Sequence, residues 1–143
     1  MRIDFEERVV PGDGNCLFYS LGEALGLAQG DLRMAISLYL IRNAKNKYNG
    51  LSLEEWVRLE TDMKLKNYCE LINRNGVWGG NMELGMTTRI FKVNIFVLKR
   101  EMKKYKMITS YIFDNNARNI FLIYDGYHYN YLKVVKNLAG LKI

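Results

Sequence analysis

The sequence feature that most constrains this chain is a glycine-rich turn that leads directly into a helix. Residues 11–16 read PGDGNC, and Gly, Asp and Asn are the residues that tolerate a positive φ and form tight turns. Apolar residues then recur at helical spacing, at Leu17, Leu21, Ala24 and Leu25. We therefore expect Cys16 in the first turn of a helix, where backbone N–H groups and the helix dipole favour a thiolate.

The totals predict one globular domain spanning residues 1–143. A chain of 143 residues with 49% hydrophobic residues can bury a sizeable core. No stretch approaches the ~18 apolar residues of a membrane span, the N-terminus lacks the apolar core of a signal peptide, and two cysteines give no disulfide framework. We expect a cytoplasmic monomer with no membrane partner.

A single histidine, His128, limits the chemistry of the site. Clustered histidine ligands are excluded, and one histidine with two separated cysteines makes a poor zinc site, so we expect no metal and no cofactor. Cys69 shares a helical face with apolar residues, which favours a buried structural thiol. If an imidazole transfers protons near neutral pH, it belongs to His128.

Much of the net charge of +6 lies in residues 99–106, which read KREMKKYK. One interpretation is a patch for nucleic acid or for an acidic partner. The other is a solvated turn between two strands. Because the sequence has no RNA-binding signature and no zinc-finger spacing, we favour the turn and expect no nucleic-acid partner.

The order of the predicted elements, helices first and antiparallel strands last, indicates an α+β fold with a central, mostly antiparallel sheet. Asp31 is the expected N-cap of the second helix, and Ser52 with Glu55 forms a capping box for the third. The predicted helices cover 17–27 (closed near Gly30), 32–44, 52–73 (with a break near residues 61–62) and 81–89. The predicted strands cover 93–98, 107–113, 120–124 and 127–132.

The last predicted strand carries YHYNY at residues 127–131. Side chains alternate along a strand, so His128 and Asn130 share one face and the tyrosines take the other. Asn130 can then accept a hydrogen bond from one ring N–H and leave the second nitrogen for a thiol. A lone histidine beside tyrosines is more often structural, but the pairing with Asn130 and Cys16 favours a Cys–His–Asn arrangement.

Three stretches together resemble the OTU (ovarian tumour) family of cysteine peptidases, most of which are deubiquitinases. They are PGDGNCLF at residues 11–18, WGGNMEL at 78–84 and HYN at 128–130, in the family's order and spacing over nearly the whole chain. Tyr19 replaces a frequent Arg and Gly85 a larger residue. The resemblance implies a papain-like OTU fold close to the family's minimum length, with the nucleophile at a helix N-terminus.

The resemblance also implies a role for each matching residue. Cys16 attacks the carbonyl of ubiquitin's C-terminal glycine, His128 transfers the proton, and Asn130 orients His128. Asp13 and Gly14 hold the loop whose N–H groups, with that of Cys16, form the oxyanion hole. The Asp13 carboxylate organises this loop rather than carrying a proton. The implied partner is ubiquitin or polyubiquitin.

A second glycine turn suits a substrate tail without side chains. Ubiquitin ends in two glycines, and a narrow channel for them can be built from Gly79 and Gly80 with the aromatic walls Trp78, Tyr127 and Tyr129; alternatively, Trp78 is plain core. The same triad could process another ubiquitin-like modifier or a viral polyprotein. The composition suits a virus or an intracellular bacterium, which would place the enzyme in the host cytosol.

Overall fold

The computed structural model describes residues 2–143, so Met1, which the domain prediction includes, lies outside the described part. All five helices lie between the first strand and residue 91, and four consecutive strands follow them. The elements are β1 (Ile3–Arg8), α1 (Cys16–Leu25), α2 (Gln29–Arg42), β2 (Lys47–Tyr48), β3 (Leu51–Ser52), α3 (Leu53–Thr61), α4 (Leu65–Ile72), α5 (Asn81–Phe91), β4 (Val93–Glu101), β5 (Lys104–Tyr111), β6 (Arg118–Tyr124) and β7 (Tyr129–Asn137).

The main sheet has the strand order β1-β7-β6-β4-β5. Its β1–β7, β7–β6 and β4–β5 pairs are antiparallel, whereas β4 and β6 run parallel. The predicted α+β class and the mostly antiparallel sheet are therefore confirmed. β4 lies between two partners and is nearly continuously apolar from Val93 to Leu98, as a central strand must be.

The core fills the space between the helices and one face of this sheet. α1 and α2 contribute side chains that are almost fully buried, and burial of each is worth roughly 1.5–3 kcal/mol. They include Leu17, Phe18, Leu21, Leu32, Ile36 and Leu40, which pack with Ile95 and Leu122 of the sheet. Because α1 is fixed along its buried face, Cys16 at its first position is held firmly over the sheet.

Local signals gave some helix boundaries correctly and others not. The capping box is present, since the Glu55 N–H donates to the Ser52 side chain, and the predicted break falls where Asp62 takes a positive φ of 57°. The expected N-cap at Asp31 is wrong. α2 begins at Gln29 instead, so Asp31 lies in its first turn, where a carboxylate still stabilises the helix dipole. α1 closes at Gly26 (φ 72°) rather than at Gly30.

The basic run at residues 99–106 forms the hairpin between β4 and β5, as the solvated-turn interpretation predicted. Several of its charges are already paired on the surface. Glu101 lies 2.9 Å from the Lys99 ammonium and 3.9 Å from that of Lys106, and Arg100 lies 3.3 Å from Glu7. Within residues 2–143 no helix has the length and apolarity needed to cross a membrane.

Candidate active site

Cys16 is the first residue of α1 and is 5% exposed. The loop before it folds into a tight turn in which the Asp13 carboxylate accepts the Asn15 N–H at 2.8 Å. The Cys16 N–H donates to the Asp13 carbonyl at 3.2 Å. The thiol therefore stands at the N-terminal end of α1, where the first backbone N–H groups of the helix and the positive end of its dipole point toward it.

One part of the predicted oxyanion hole differs from the expectation. The Asp13 turn folds the loop back, so the Cys16 N–H is bonded within the loop instead of being open to a substrate. This bond is longer than the usual 2.9–3.0 Å of N–H···O contacts. The predicted role of the Cys16 N–H in an oxyanion hole would require this internal bond to be released.

The side chain of Asn15 anchors the loop before Cys16 through hydrogen bonds. No role was predicted for this residue from the sequence. Its Oδ1 accepts hydrogen bonds from the Arg33 guanidinium and the Gly76 N–H, both at 2.7 Å, and its Nδ2 donates to Asn75 at 2.8 Å. These contacts tie the loop before Cys16 (residues 11–15, the nucleophile loop) to the segment that follows α4. The turn before Cys16 is therefore set by residues about 60 positions away.

Arg33, also missed, is the buried centre of this arrangement at 1% exposure. Its guanidinium donates to the carbonyls of Ile72 and Val77 at 2.7 Å and lies 3.9 Å from the centroid of the Phe18 ring. Burial lowers the pKa of Arg33, and the Glu83 and Asp13 carboxylates act in the opposite direction. The available signal was its helical spacing from buried Ile36 and Leu40, which places a charge on an apolar face.

His128 lies in the turn that precedes β7 rather than on the strand itself. The Asp125 carboxylate accepts the N–H groups of Tyr127 and His128 at 2.9 and 2.8 Å, and these two bonds lower the pKa of Asp125. Gly126 takes a φ of 103°, which explains the glycine in this turn. The turn therefore holds the His128 backbone in one conformation.

The predicted contact between His128 and Asn130 is present, with 2.6 Å between Nε2 and Oδ1. Asn130 Oδ1 also accepts the Val10 N–H at 3.0 Å, so it is an oxygen on geometric grounds and His128 Nε2 must be the donor. Nδ1 is then the proton-accepting nitrogen. It faces the nucleophile loop, because a methyl group placed on Gly12 would lie 3.9 Å from it.

A cleft of about 250 Å³ opens beside Cys16. All five residues predicted to bind substrate line this cleft, namely Trp78, Gly79, Gly80, Tyr127 and Tyr129. Trp78 and Tyr127 are 61% and 78% exposed, so the alternative of Trp78 as core is wrong. A larger cavity of about 780 Å³ lies between α3 and α4, but neither a cysteine nor the histidine lines it.

Of the tyrosines in the YHYNY run, Tyr129 and Tyr131 pack against the same core cluster, as the alternation predicted, whereas Tyr127 precedes β7 and is not on that face. Tyr129 is stacked on Tyr124, with 4.2 Å between ring centroids, whereas Tyr131 is buried in the core and Tyr127 is exposed. Burial, with the neighbouring phenols and the Cys16 thiol, raises the pKa of Tyr129. This phenol therefore forms a neutral wall of the cleft.

Glu83 anchors the Trp78–Gly80 turn from inside the protein. It accepts the Gly80 N–H at 2.7 Å and the hydroxyl of Tyr68, and burial raises the pKa of its carboxyl despite these bonds. The spacing of Glu83 three residues after Gly80 is that of a capping box. No role was assigned to it from the sequence, although it belongs to the second motif.

Gly79 has a steric reason to be glycine. A Cβ at this position would lie 2.8 Å from the Phe18 ring and 2.9 Å from the Leu17 side chain, the two residues that follow Cys16. At Gly85, by contrast, no atom lies within 4 Å of an added Cβ.

We expect Gly79→Ala to destabilise the protein by about 1–3 kcal/mol, because the buried Leu17 and Phe18 cannot give way without moving α1. Gly85→Ala is the matched control and is expected to stabilise by about 0.5–1 kcal/mol, since it replaces a helical glycine in open space. Urea denaturation of both variants measures the difference. Equal stability of the two variants would contradict the close packing inferred at Gly79.

Among residues 2–143 there is no group of three or more His, Cys, Asp or Glu side chains placed to hold a metal ion. The two cysteines, Cys16 and Cys69, are both free and buried.

Residues 11–131 match the family model of OTU-like cysteine proteases. Over 135 residues the chain is 30% identical to the OVARIAN TUMOR DOMAIN-containing deubiquitinating enzyme 7 of Arabidopsis thaliana. That match covers 92% of this chain and 33% of the Arabidopsis protein. The chain thus spans about a third of the length of this relative.

Solved structures show the same fold. The viral OTU domain protease from Taggert virus superposes with a TM-score of 0.71 at 23% identity, covering 94% of this chain and 82% of that one. An OTU domain solved in complex with ubiquitin superposes with a TM-score of 0.69 at 22% identity, covering 94% and 76%. The expected OTU-type fold is therefore confirmed.

Proposed function

Because the chain belongs to the family of OTU-like cysteine proteases, we propose that it is a deubiquitinating cysteine peptidase. It hydrolyses the isopeptide bond that follows the C-terminal Gly-Gly of ubiquitin. The observation that carries this proposal is the pairing of His128 with Asn130 beside the Cys16 loop, at a cleft bordered by glycine backbone and aromatic rings. The name of the Arabidopsis relative and the ubiquitin complex of the similar OTU domain support ubiquitin as the partner.

In the acylation step the Cys16 thiol gives its proton to His128 Nδ1, and the sulfur attacks the carbonyl carbon of the terminal glycine. The tetrahedral intermediate collapses as Nδ1 returns the proton to the leaving lysine amine. A thioester between Cys16 and ubiquitin remains. Asn130 stays bonded to Nε2 throughout and so keeps the imidazole facing the sulfur.

In the deacylation step a water molecule takes the place of the amine. His128 Nδ1 accepts a proton from this water as its oxygen attacks the thioester carbonyl, and the proton then passes to the departing sulfur. Free ubiquitin and the Cys16 thiol are regenerated. In both steps the intermediate carries an oxyanion, for which the nucleophile loop must release the Cys16 N–H from the Asp13 carbonyl.

The shape of the cleft supports a substrate tail without side chains. Gly79 lies directly against α1, and any side chain there would already collide with Leu17 and Phe18. Trp78 and Tyr127 stand exposed at the rim, where their rings can cover an extended backbone. We expect a glycine pair to be accepted between these rings more readily than a bulkier residue next to the scissile bond.

Hydrolysis of fluorogenic ubiquitin, compared with equally labelled ubiquitin-like modifiers and with a peptide that carries only the last residues of ubiquitin, tests the proposal. We expect full-length ubiquitin to give the highest kcat/KM. A ubiquitin whose last glycine is replaced by alanine is the matched control and is expected to react about 100-fold more slowly, because of the narrow cleft. A faster reaction with another modifier, or equal rates for the glycine and alanine forms, would contradict the proposed substrate.

A further inference from the structure

The amide of Asn130 is held on both of its sides. Its Oδ1 accepts from His128 Nε2 at 2.6 Å and from the Val10 N–H at 3.0 Å, while its Nδ2 donates to Glu7 Oε1 at 3.1 Å. A flipped amide would point its NH2 group at the Val10 N–H and its oxygen at the Glu7 carboxylate. Both contacts would be repulsive, so one amide orientation is strongly favoured.

The sheet register brings Glu7 to this position. β1 pairs with β7 in antiparallel fashion, with Glu7 opposite Leu132. Asn130 is therefore the diagonal neighbour of Glu7, within reach of a long side chain. The adjacent Glu6 points to the other face of the sheet, where it pairs with Arg8 at 2.8 Å.

The β4–β5 hairpin supports Glu7 from the opposite side. The second carboxylate oxygen of Glu7 lies 3.3 Å from the Arg100 guanidinium, which also donates to the Tyr105 hydroxyl at 3.0 Å. Tyr105 in turn packs edge-on against Phe5, with 5.2 Å between ring centroids. Both oxygens of the half-buried Glu7 carboxylate therefore have a partner. Arg100, which belongs to the basic run at residues 99–106, supports Glu7 next to the site.

We propose that Glu7 is a positioning residue of the active site, which fixes the Asn130 amide and thereby keeps the proton of neutral His128 on Nε2. Nδ1 is then free to accept the proton of the Cys16 thiol. The link to catalysis rests on the proposed peptidase function, whereas the effect on the His128 tautomer does not. Loss of Glu7 leaves Asn130 Nδ2 without this acceptor, so the amide can rotate and the imidazole can take the other tautomer.

The tautomer can be read directly because His128 is the only histidine in the sequence. Long-range 1H–15N spectra of the protein with Cys16→Ala, which removes the thiolate, are recorded at about pH 9, where an ordinary imidazole is neutral. We expect a protonated Nε2 and a bare Nδ1. Glu7→Ala in this background is expected to give a mixture of tautomers, whereas Glu6→Ala, with the same loss of charge on the same strand, leaves the spectrum unchanged.

Kinetics on fluorogenic ubiquitin test the consequence for the reaction. Glu7→Ala is expected to lower kcat about tenfold with little change in KM, because the imidazole is misplaced but the cleft is intact. Glu7→Gln is expected to recover most of kcat, since its side-chain carbonyl still accepts from Asn130. An unchanged tautomer in Glu7→Ala, or an equal kcat loss in Glu6→Ala, would overturn the proposal. If the wild type does not cleave ubiquitin, the proposed function fails while the spectra still decide the role of Glu7.

Discussion

Cys16→Ala is expected to abolish covalent labelling by a ubiquitin probe with an electrophilic C-terminus, and to lower hydrolysis by about 10⁴–10⁶-fold. The sulfur stands at the first position of α1, beside the cleft and the His128 turn, so no other thiol can replace it. Labelling is followed as a mass shift of one ubiquitin. Because Cys16 is small, we expect the variant to fold normally, which a thermal melt verifies.

Cys69→Ala is the matched control for this experiment. Cys69 lies in α4, where its thiol faces the Ser37 carbonyl at 3.7 Å, and burial raises its pKa to about 11. It is therefore a thiol at neutral pH, away from the His128 turn, and inert toward the probe. We expect Cys69→Ala to label like the wild type. Labelling that persists in Cys16→Ala, or that moves to Cys69, would refute the assigned nucleophile.

The residues that sequence alone could identify are those whose signal is local. The turn before Cys16, the spacing of His128 and Asn130, and the capping box at Ser52 each depend on neighbours within a few positions, and the structure contains all three features. The single histidine removed any choice of base. Such features depend only on residues that are close in the sequence, so they can be recognised without knowing the tertiary structure.

The supporting residues could not be found in this way. Glu7 reaches Asn130 across 123 positions, and Arg33 reaches Asn15 across 18, so both contacts exist only after β1 pairs with β7 and α2 packs on α1. From sequence a charged side chain is expected at the surface, yet Arg33 is buried because five hydrogen bonds compensate its desolvation.

The parallel β4–β6 pair was not predicted for a related reason. A pattern of apolar residues indicates a strand but not its partner, and the sequence order of β4, β5 and β6 suggests simple hairpins. In the structure β5 occupies the outer edge, and the chain then returns to place β6 on the other side of β4. Asn94 holds this return, since it accepts the Phe113 N–H at 2.7 Å and donates to the Asp114 carbonyl at 2.8 Å.

His128→Ala is expected to lower kcat/KM by about 10³–10⁴-fold or more, because it removes the only imidazole and therefore both proton transfers. Asn130→Ala is expected to cost less, about 10–100-fold. The base remains in that variant, but it loses the 2.6 Å contact that fixes the orientation of the imidazole. Both values come from initial rates on fluorogenic ubiquitin.

Asn137→Ala provides the matched control for Asn130→Ala on the same strand. Asn137 is exposed at the far end of β7, where it bonds Leu141 and not the site. We expect its kcat/KM to match the wild type, so that any loss in Asn130→Ala reflects the active site rather than the strand. Equal losses in His128→Ala and Asn130→Ala would mean that orientation matters as much as the base itself, and would contradict the assigned roles. The ordering follows from chemistry, since a misdirected base still accepts protons in a fraction of encounters, whereas an absent one never does.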